Sequence, residues 1–266
     1  MEIDTLFSSS AGNCIFVRTK NHSFLIDAGS SFKRIRTALS ELSADLSDLS
    51  AIFVTHEHSD HISALPMIEK HFPVDVYLPP NCLWALEKKI DPARLHPLPP
   101  FEELIWDDFS ITSFPTPHDS RGSCGYILSC EGNRYGIATD MGYVTKDTLH
   151  ALRGCLGVIV EANYNRQMLK NGPYPPDLQA RVDGKLGHLE NQDCAELCSY
   201  LAKNGTKHFL LAHLSAENNR PELAKKTVWD RLVADGYSEE QLSVSVADRF
   251  LITRLLGREE NSLCSV

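Results

Sequence analysis

The run Thr55-His56-Glu57-His58-Ser59-Asp60-His61 follows directly on the apolar segment Ala51-Ile52-Phe53-Val54, and its reading decides the rest of the chain. Three imidazoles and two carboxylates, Glu57 and Asp60, fall within six consecutive positions. Nitrogen and carboxylate oxygen are the donors that zinc, manganese and iron(II) take from proteins. On an extended backbone His56 and His58, two residues apart, point the same way. Asp60 and His61 follow where a turn into a helix would swing them toward a second position. The spacing suits two metal ions close together, one held by each pair. A polar loop with incidental histidines has no reason to space its donors in this way.

The remaining composition is that of a soluble enzyme. The chain has 266 residues, 42% hydrophobic and 23% charged, enough for one large domain, residues 1–266. No stretch approaches the roughly 20 apolar residues that cross a bilayer. The start, Met1-Glu2-Ile3-Asp4, is acidic, lacks the basic region of a secretory signal and reads as the first strand of the mature fold. The cysteines at 14, 82, 124, 130, 155, 194, 198 and 264 form no Cys-x-x-Cys pair. This predicts reduced thiols and a cytoplasmic location. A net charge of −9 argues against a broad nucleic-acid-binding surface. Two divalent cations would nevertheless be the largest charges in a cleft, which leaves a phosphodiester substrate open.

Short apolar runs bounded by Gly, Pro, Asn or Asp recur as strands: 15–17, 24–26, 52–54, 74–78, 111–114, 126–128, 135–138, 158–160 and 209–211. Helical spacing groups Phe32, Ile35 and Leu39. It also groups Cys194, Leu197, Cys198 and Leu201, and it runs from Pro221 to Gly236. Strands with interspersed helices predict stacked sheets covered by helices. Asn171 to Gly187, with three prolines and three glycines, reads as an ordered loop over the site.

Two metals need more ligands than one motif supplies. His118, Asp140 and His213 each follow an apolar run, where several strand ends converge on one rim. His22, His71, His96, His150 and His208 lack that context and read as surface or core histidines. His188, just before a helix beginning near Asn191, reads either as a non-ligand imidazole that donates a proton to a leaving oxygen or as a cap of that helix. Arg181 and Lys185, in the preceding loop, are lone basic residues suited to a phosphate.

The order of these motifs resembles the metallo-β-lactamase-fold hydrolases over nearly the whole chain. Within them it is most similar to the YycJ-type (WalJ-type) exonuclease-like branch. The likeness rests on Ser8-Ser-Ser-Ala-Gly-Asn-Cys14, Asp27-Ala-Gly29, the Thr55–His61 motif, Pro117-His118-Asp119 and Ala138-Thr-Asp140-Met-Gly-Tyr143. It extends through Glu161-Ala-Asn163-Tyr-Asn165, Gly172-Pro-Tyr-Pro175, Gly187-His188-Leu189 and Leu211-Ala-His213-Leu-Ser215-Ala-Glu-Asn-Asn219. The resemblance implies an α/β fold, a four-layer αβ/βα sandwich. It implies one metal held by His56, His58, His118 and Asp140, and a second held by Asp60, His61, His213 and the same Asp140. His188 looks like the proton donor of the phosphodiesterase branches, and Asn13, Asn163, Arg181 and Asn219 are the expected substrate contacts. Two departures stand out: Ala11 in place of serine, and Glu190 in place of a small hydroxyl residue.

The expected activity is that of a phosphodiesterase dependent on two divalent ions (zinc or manganese, with iron(II) open), acting on nucleic acid as a 5′→3′ DNA exonuclease. A metal-bridged hydroxide attacks in line, Asp60 orients it, and His188 protonates the leaving 3′-oxygen. The competing expectation is a small-molecule metallohydrolase acting on a cyclic phosphodiester, thioester or lactone, because the same ions polarise carbonyls. Redox chemistry at a di-iron site is disfavoured by His58, where iron-using relatives carry a carboxylate. No membrane partner is expected, and the sequence does not fix the oligomeric state.

Overall fold

The computed structural model describes residues 1–255; Cys264 lies outside them. In chain order the first elements are β1 (Glu2–Ser9), β2 (Gly12–Arg18), β3 (Ser23–Ile26), α1 (Phe32–Glu41), β4 (Leu49–Phe53), α2 (Ser59–Ile62), α3 (Leu65–His71), β5 (Val76–Leu78) and β6 (Leu95–Pro97). They continue with β7 (Glu103–Ile105), β8 (Ser110–Pro115), β9 (Cys124–Cys130), β10 (Asn133–Ala138), α4 (Lys146–Leu152), β11 (Gly157–Glu161), α5 (Arg166–Asn171) and α6 (Pro176–Val182). The last are α7 (Asn191–Lys203), β12 (His208–Ala212), α8 (Pro221–Ala234), β13 (Ser243–Val246) and β14 (Thr253–Arg254). The chain forms two compact units. The first is Met1–Ser113, Ser120–Cys124 and the chain from Asp248; the second is Phe114–Asp119 and Gly125–Ala247.

In the first unit the strands run β14-β1-β2-β3-β4-β5-β6. Pairing is antiparallel from β14 to β3 and parallel from β3 to β6. Parallel strands need crossovers, and α1 provides one between β3 and β4. Ser31 starts it by accepting a hydrogen bond from the Arg34 N–H, and Ile35, Ala38 and Leu39 bury its inner face at helical spacing. Phe16, Leu25, Ile35, Ile52, Leu65 and Ile68 join one core. Each such side chain contributes roughly 1.5–3 kcal/mol by leaving water. Arg254 closes the sheet edge with a two-pronged bond to Asp4, at 2.8 and 3.0 Å.

In the second unit β9 and β10 are antiparallel, while β10, β11, β12 and β13 are parallel neighbours in that order. Cys194, Leu197, Cys198 and Leu201 of α7 are buried in its core, as their spacing predicts; in α8 Val228 and Leu232 are buried as expected, with Ala224 buried in place of Leu223. Each unit is thus a sheet with helices packed on it.

The segment from Asn171 to Gly187 differs from the expected loop. Its centre is α6, with Pro176 in the first turn. Proline there loses no helical hydrogen bond and already holds the helical φ, so a proline-rich stretch can open a helix instead of breaking one.

Candidate metal centre

Parallel register positions the donors in both units. In the first, Ile26 pairs with Phe53, so Asp27 and Thr55 emerge just beyond two neighbouring strand ends. The Asp27 carboxylate accepts from the Thr55 N–H at 2.8 Å and the Thr55 hydroxyl at 2.9 Å. It also lies 2.7 Å from Nδ1 of His61. Nδ1 of His56 lies 3.0 Å from the Thr55 oxygen. With both Nδ1 atoms donating, Nε2 is the nitrogen of each ring that could hold a metal. This outer ring of acceptors is characteristic of histidines that bind metal. His56, His58 and His61 cluster with ring centroids 4.6 and 4.1 Å from that of His56, and Asp60 Oδ2 stands 3.4 Å from His61 Nε2. Asn13 Nδ2 is 3.2 Å from Asp60 Oδ2 and 3.1 Å from His61 Nε2.

Gly29 makes this packing possible. A Cβ there would lie 1.5 Å from the Asp60 carbonyl oxygen and 2.7 Å from the His61 nitrogen. The backbone of the motif rests directly on the turn after β3, with Ala28 N–H bonded to the His61 carbonyl at 2.7 Å.

In the second unit Ala138 pairs with Val160, and Glu161 with Ala212. Asp140, Glu161 and His213 therefore lie at the carboxyl ends of three adjacent parallel strands, where open α/β sheets place their ligands. Ligating atoms of Asp140, Glu161, His188 and His213 all fall within 4.8 Å of one another. Glu161 is fully buried, and its two oxygens accept four bonds. One oxygen meets Nδ1 of His188 at 2.7 Å and of His213 at 2.9 Å; the other takes the N–H groups of Met141 at 2.9 Å and Leu189 at 3.1 Å. Burial alone would raise its pKa, but the adjacent His188 and His213 outweigh that and hold the carboxyl well below the usual range. His118 joins the pattern by setting Nδ1 2.9 Å from the Gly187 carbonyl. Burial is the main cause that lowers the His118 pKa and so keeps the ring in the neutral form a metal requires.

Asp27, Asp140 and His213 all have positive φ, at 62°, 56° and 56°. Such left-handed backbone is uncommon for residues other than glycine and concentrates at functional sites. Buried histidines with Nδ1 engaged, carboxylates alongside and strained strand ends fit a divalent metal.

The other candidate residues divide. His188 is partly exposed, and the carboxylate it meets is Glu161 rather than Glu190. Burial raises the Glu190 pKa, and Arg166 is the cation that acts on it. Arg181 is exposed, with Nε 2.6 Å from Asp119. Asn163 and Asn219 are 4% and 2% exposed. The Asn163 amide donates to the His213 carbonyl at 2.7 Å; the Asn219 amide donates to the Ala162 carbonyl at 2.8 Å and the Asn191 oxygen at 2.9 Å. Both amides brace strand ends from inside. In the sequence Asp27 and Glu161 stand only as parts of longer motifs; their signal is an acidic residue at the end of a buried apolar run.

This fold and donor set are those of a metal-dependent hydrolase. Residues 22–214 match the family described as the beta-lactamase superfamily domain. The exodeoxyribonuclease WalJ of Streptococcus pneumoniae serotype 2 is 34% identical over 232 residues, 85% of this chain and 86% of that protein. The exodeoxyribonuclease YycJ of Bacillus anthracis is 30% identical over 245 residues, covering 89% and 91%. The metallo-beta-lactamase fold protein YhfI from Bacillus subtilis superposes with a TM-score of 0.68 at 16% identity, over 95% of this chain and 98% of that one. The chain belongs to the metallo-β-lactamase superfamily and, within it, to the YycJ-type (WalJ-type) branch. The expected α/β sandwich class is thereby borne out. No helix among the described residues is long and apolar enough to cross a membrane.

Proposed function

We propose that the protein is a phosphodiesterase using two divalent ions, zinc or manganese, to remove nucleotides from the 5′ end of DNA in the cytoplasm. His56, His58, His118 and Asp140 would hold one ion, and Asp60, His61, His213 and the same Asp140 the other. Bound divalent ions supply acidified water and polarise a phosphoryl oxygen. Asp60 orients the water that adds to phosphorus. As the bond from phosphorus to the 3′-oxygen breaks, His188 gives that oxygen its proton.

The observation that carries this reading is the Glu161–His188 pair. The buried carboxylate, 2.7 Å from Nδ1, fixes the orientation of the imidazole, while the ring remains partly exposed. An acyl substrate with a good leaving group has less need of such an acid. The names of the bacterial relatives, both exodeoxyribonucleases, support DNA as the polymer.

The test is cleavage of 5′-phosphorylated double-stranded DNA, single-stranded DNA and RNA by metal-loaded protein, with Asp60→Ala alongside. Stepwise release of nucleotides from the 5′ end, absent in the variant, is the expected result. Failure to cut any polymer with metal bound would overturn it and favour a small phosphodiester or acyl substrate.

A further inference from the structure

Glu57 stands between His56 and His58, and its carboxylate points away from the histidines' work. It accepts from the Cys82 thiol at 2.9 Å, the Ser120 hydroxyl at 2.8 Å and the Arg121 N–H at 3.1 Å. Burial raises its pKa, but these three donors outweigh that and hold the carboxyl below its ordinary value. Two surface segments of the first unit are therefore tied to the metal-binding motif through one side chain. They also touch each other: a Cβ on Gly122 would lie 3.1 Å from Cβ of Asn81 and 3.3 Å from Cβ of Pro79.

The two segments present a matched pair at the surface. Trp84 is 52% exposed, and the Arg121 guanidinium lies 4.8 Å from the centre of its ring. Among the described residues no carboxylate pairs with that guanidinium. In a chain with 35 acidic and 26 basic residues, an arginine held over an exposed indole has avoided the partner that most surface arginines take. A rigid exposed ring with an available cation above it is the combination that grips single nucleic-acid strands: bases stack on the ring and phosphate pairs with the guanidinium. The anchoring through Glu57 means little order has to be imposed on binding.

We propose that Trp84 and Arg121 form a strand-holding subsite for nucleic acid, adjoining the Thr55–His61 motif, in which a base stacks on Trp84 and a phosphate pairs with Arg121. The proposal rests on the nuclease reading above and adds to it where the polymer is gripped.

Two readouts test it on metal-loaded protein. Binding is followed by tryptophan emission as a phosphorothioate-backbone single-stranded decamer is added. Quenching is expected in the wild type and in Trp106→Phe, and is expected to be lost in Trp84→Phe. Cleavage of the ordinary decamer supplies KM, which Trp84→Ala should raise roughly 5- to 160-fold, the loss that one stacked base corresponds to. Trp84→Phe, which keeps a ring, should recover most of that rise. Arg121→Ala should also raise KM and flatten the plot of log KM against log salt by about 0.7, the single-strand value for one phosphate. Cleavage by the wild type with KM, quenching and salt slope unchanged in the variants would overturn the subsite and leave the nuclease reading standing. Neither binding nor cleavage by the wild type would overturn both.

Discussion

Replacing Glu161 by glutamine tests whether one buried carboxylate organises the second unit's donors. The substitution keeps size and shape but turns one acceptor oxygen into an NH₂ donor. Glu161 now accepts from four N–H groups at 2.7–3.1 Å. In either orientation the glutamine amide sets its donor against two of them, the imidazoles or the backbone pair of Met141 and Leu189. Each buried donor left without an acceptor costs about 1–3 kcal/mol, so the two together cost about 2–6 kcal/mol. Taking 3 kcal/mol, and about 2 °C per kcal/mol for a chain this long, the melting midpoint falls by roughly 6 °C. Metal affinity or activity should fall about 10- to 100-fold, as when other outer partners of metal-binding histidines are removed. Calorimetry, a metal titration against a competing chelator and the DNA assay measure these three. Wild-type metal affinity and turnover in Glu161→Gln, each within twofold, would refute the reasoning.

Three further outcomes are expected. His188→Ala should lower turnover by about 10²–10⁴-fold with metal content unchanged, by elemental analysis; loss of metal would make His188 a ligand instead. Gly29→Ala should lose bound metal and stability together, because its Cβ would overlap the Asp60 carbonyl at 1.5 Å and the obstacle is backbone; a variant with normal metal content and midpoint would contradict the packing. The third concerns pH in chelator-treated protein. Burial lowers the His118 pKa below its ordinary 6.5, so just below pH 6.5 the unfolded chain binds the proton and the folded one does not. Stability then falls as the pH drops through that region, and His118→Asn should show a shallower decline in melting midpoint. An equally steep decline in the variant would show that His118 does not contribute.

How legible the centre is from sequence follows from how local each part is. His56, His58, Asp60 and His61 lie within six positions and could be read without a fold. His118, Asp140 and His213 needed both a strand-end position and a family pattern, since a lone histidine or aspartate after a strand is ordinarily structural. Asp27 and Glu161 carry no such local mark. Their roles come from parallel register, Ile26 with Phe53 and Glu161 with Ala212, which joins residues far apart in the chain. The bonds of Asn163 and Asn219 are hidden for the same reason: nothing local in the sequence marks an amide that lies under the strand ends. The α/β class was legible from strands alternating with helices, whereas α6 was hidden because proline reads as a breaker wherever the helix start is not known.

The two units solve one chemical problem twice. In the first, Asp27 takes up Nδ1 of His61 and the Thr55 hydroxyl; in the second, Glu161 takes up Nδ1 of both His188 and His213. In both, a buried carboxylate at or just past a parallel strand end fixes the orientation of imidazoles through Nδ1. One difference has a functional meaning. The Asp27 carboxylate bonds Thr55 and His61 of the ligand motif, whereas Glu161 joins a candidate ligand to the candidate acid. A change at Asp27 should therefore alter metal binding alone, while a change at Glu161 should alter metal binding and proton delivery together. Turnover at saturating metal separates these cases: Asp27→Asn should regain the wild-type rate there, and Glu161→Gln should stay below it.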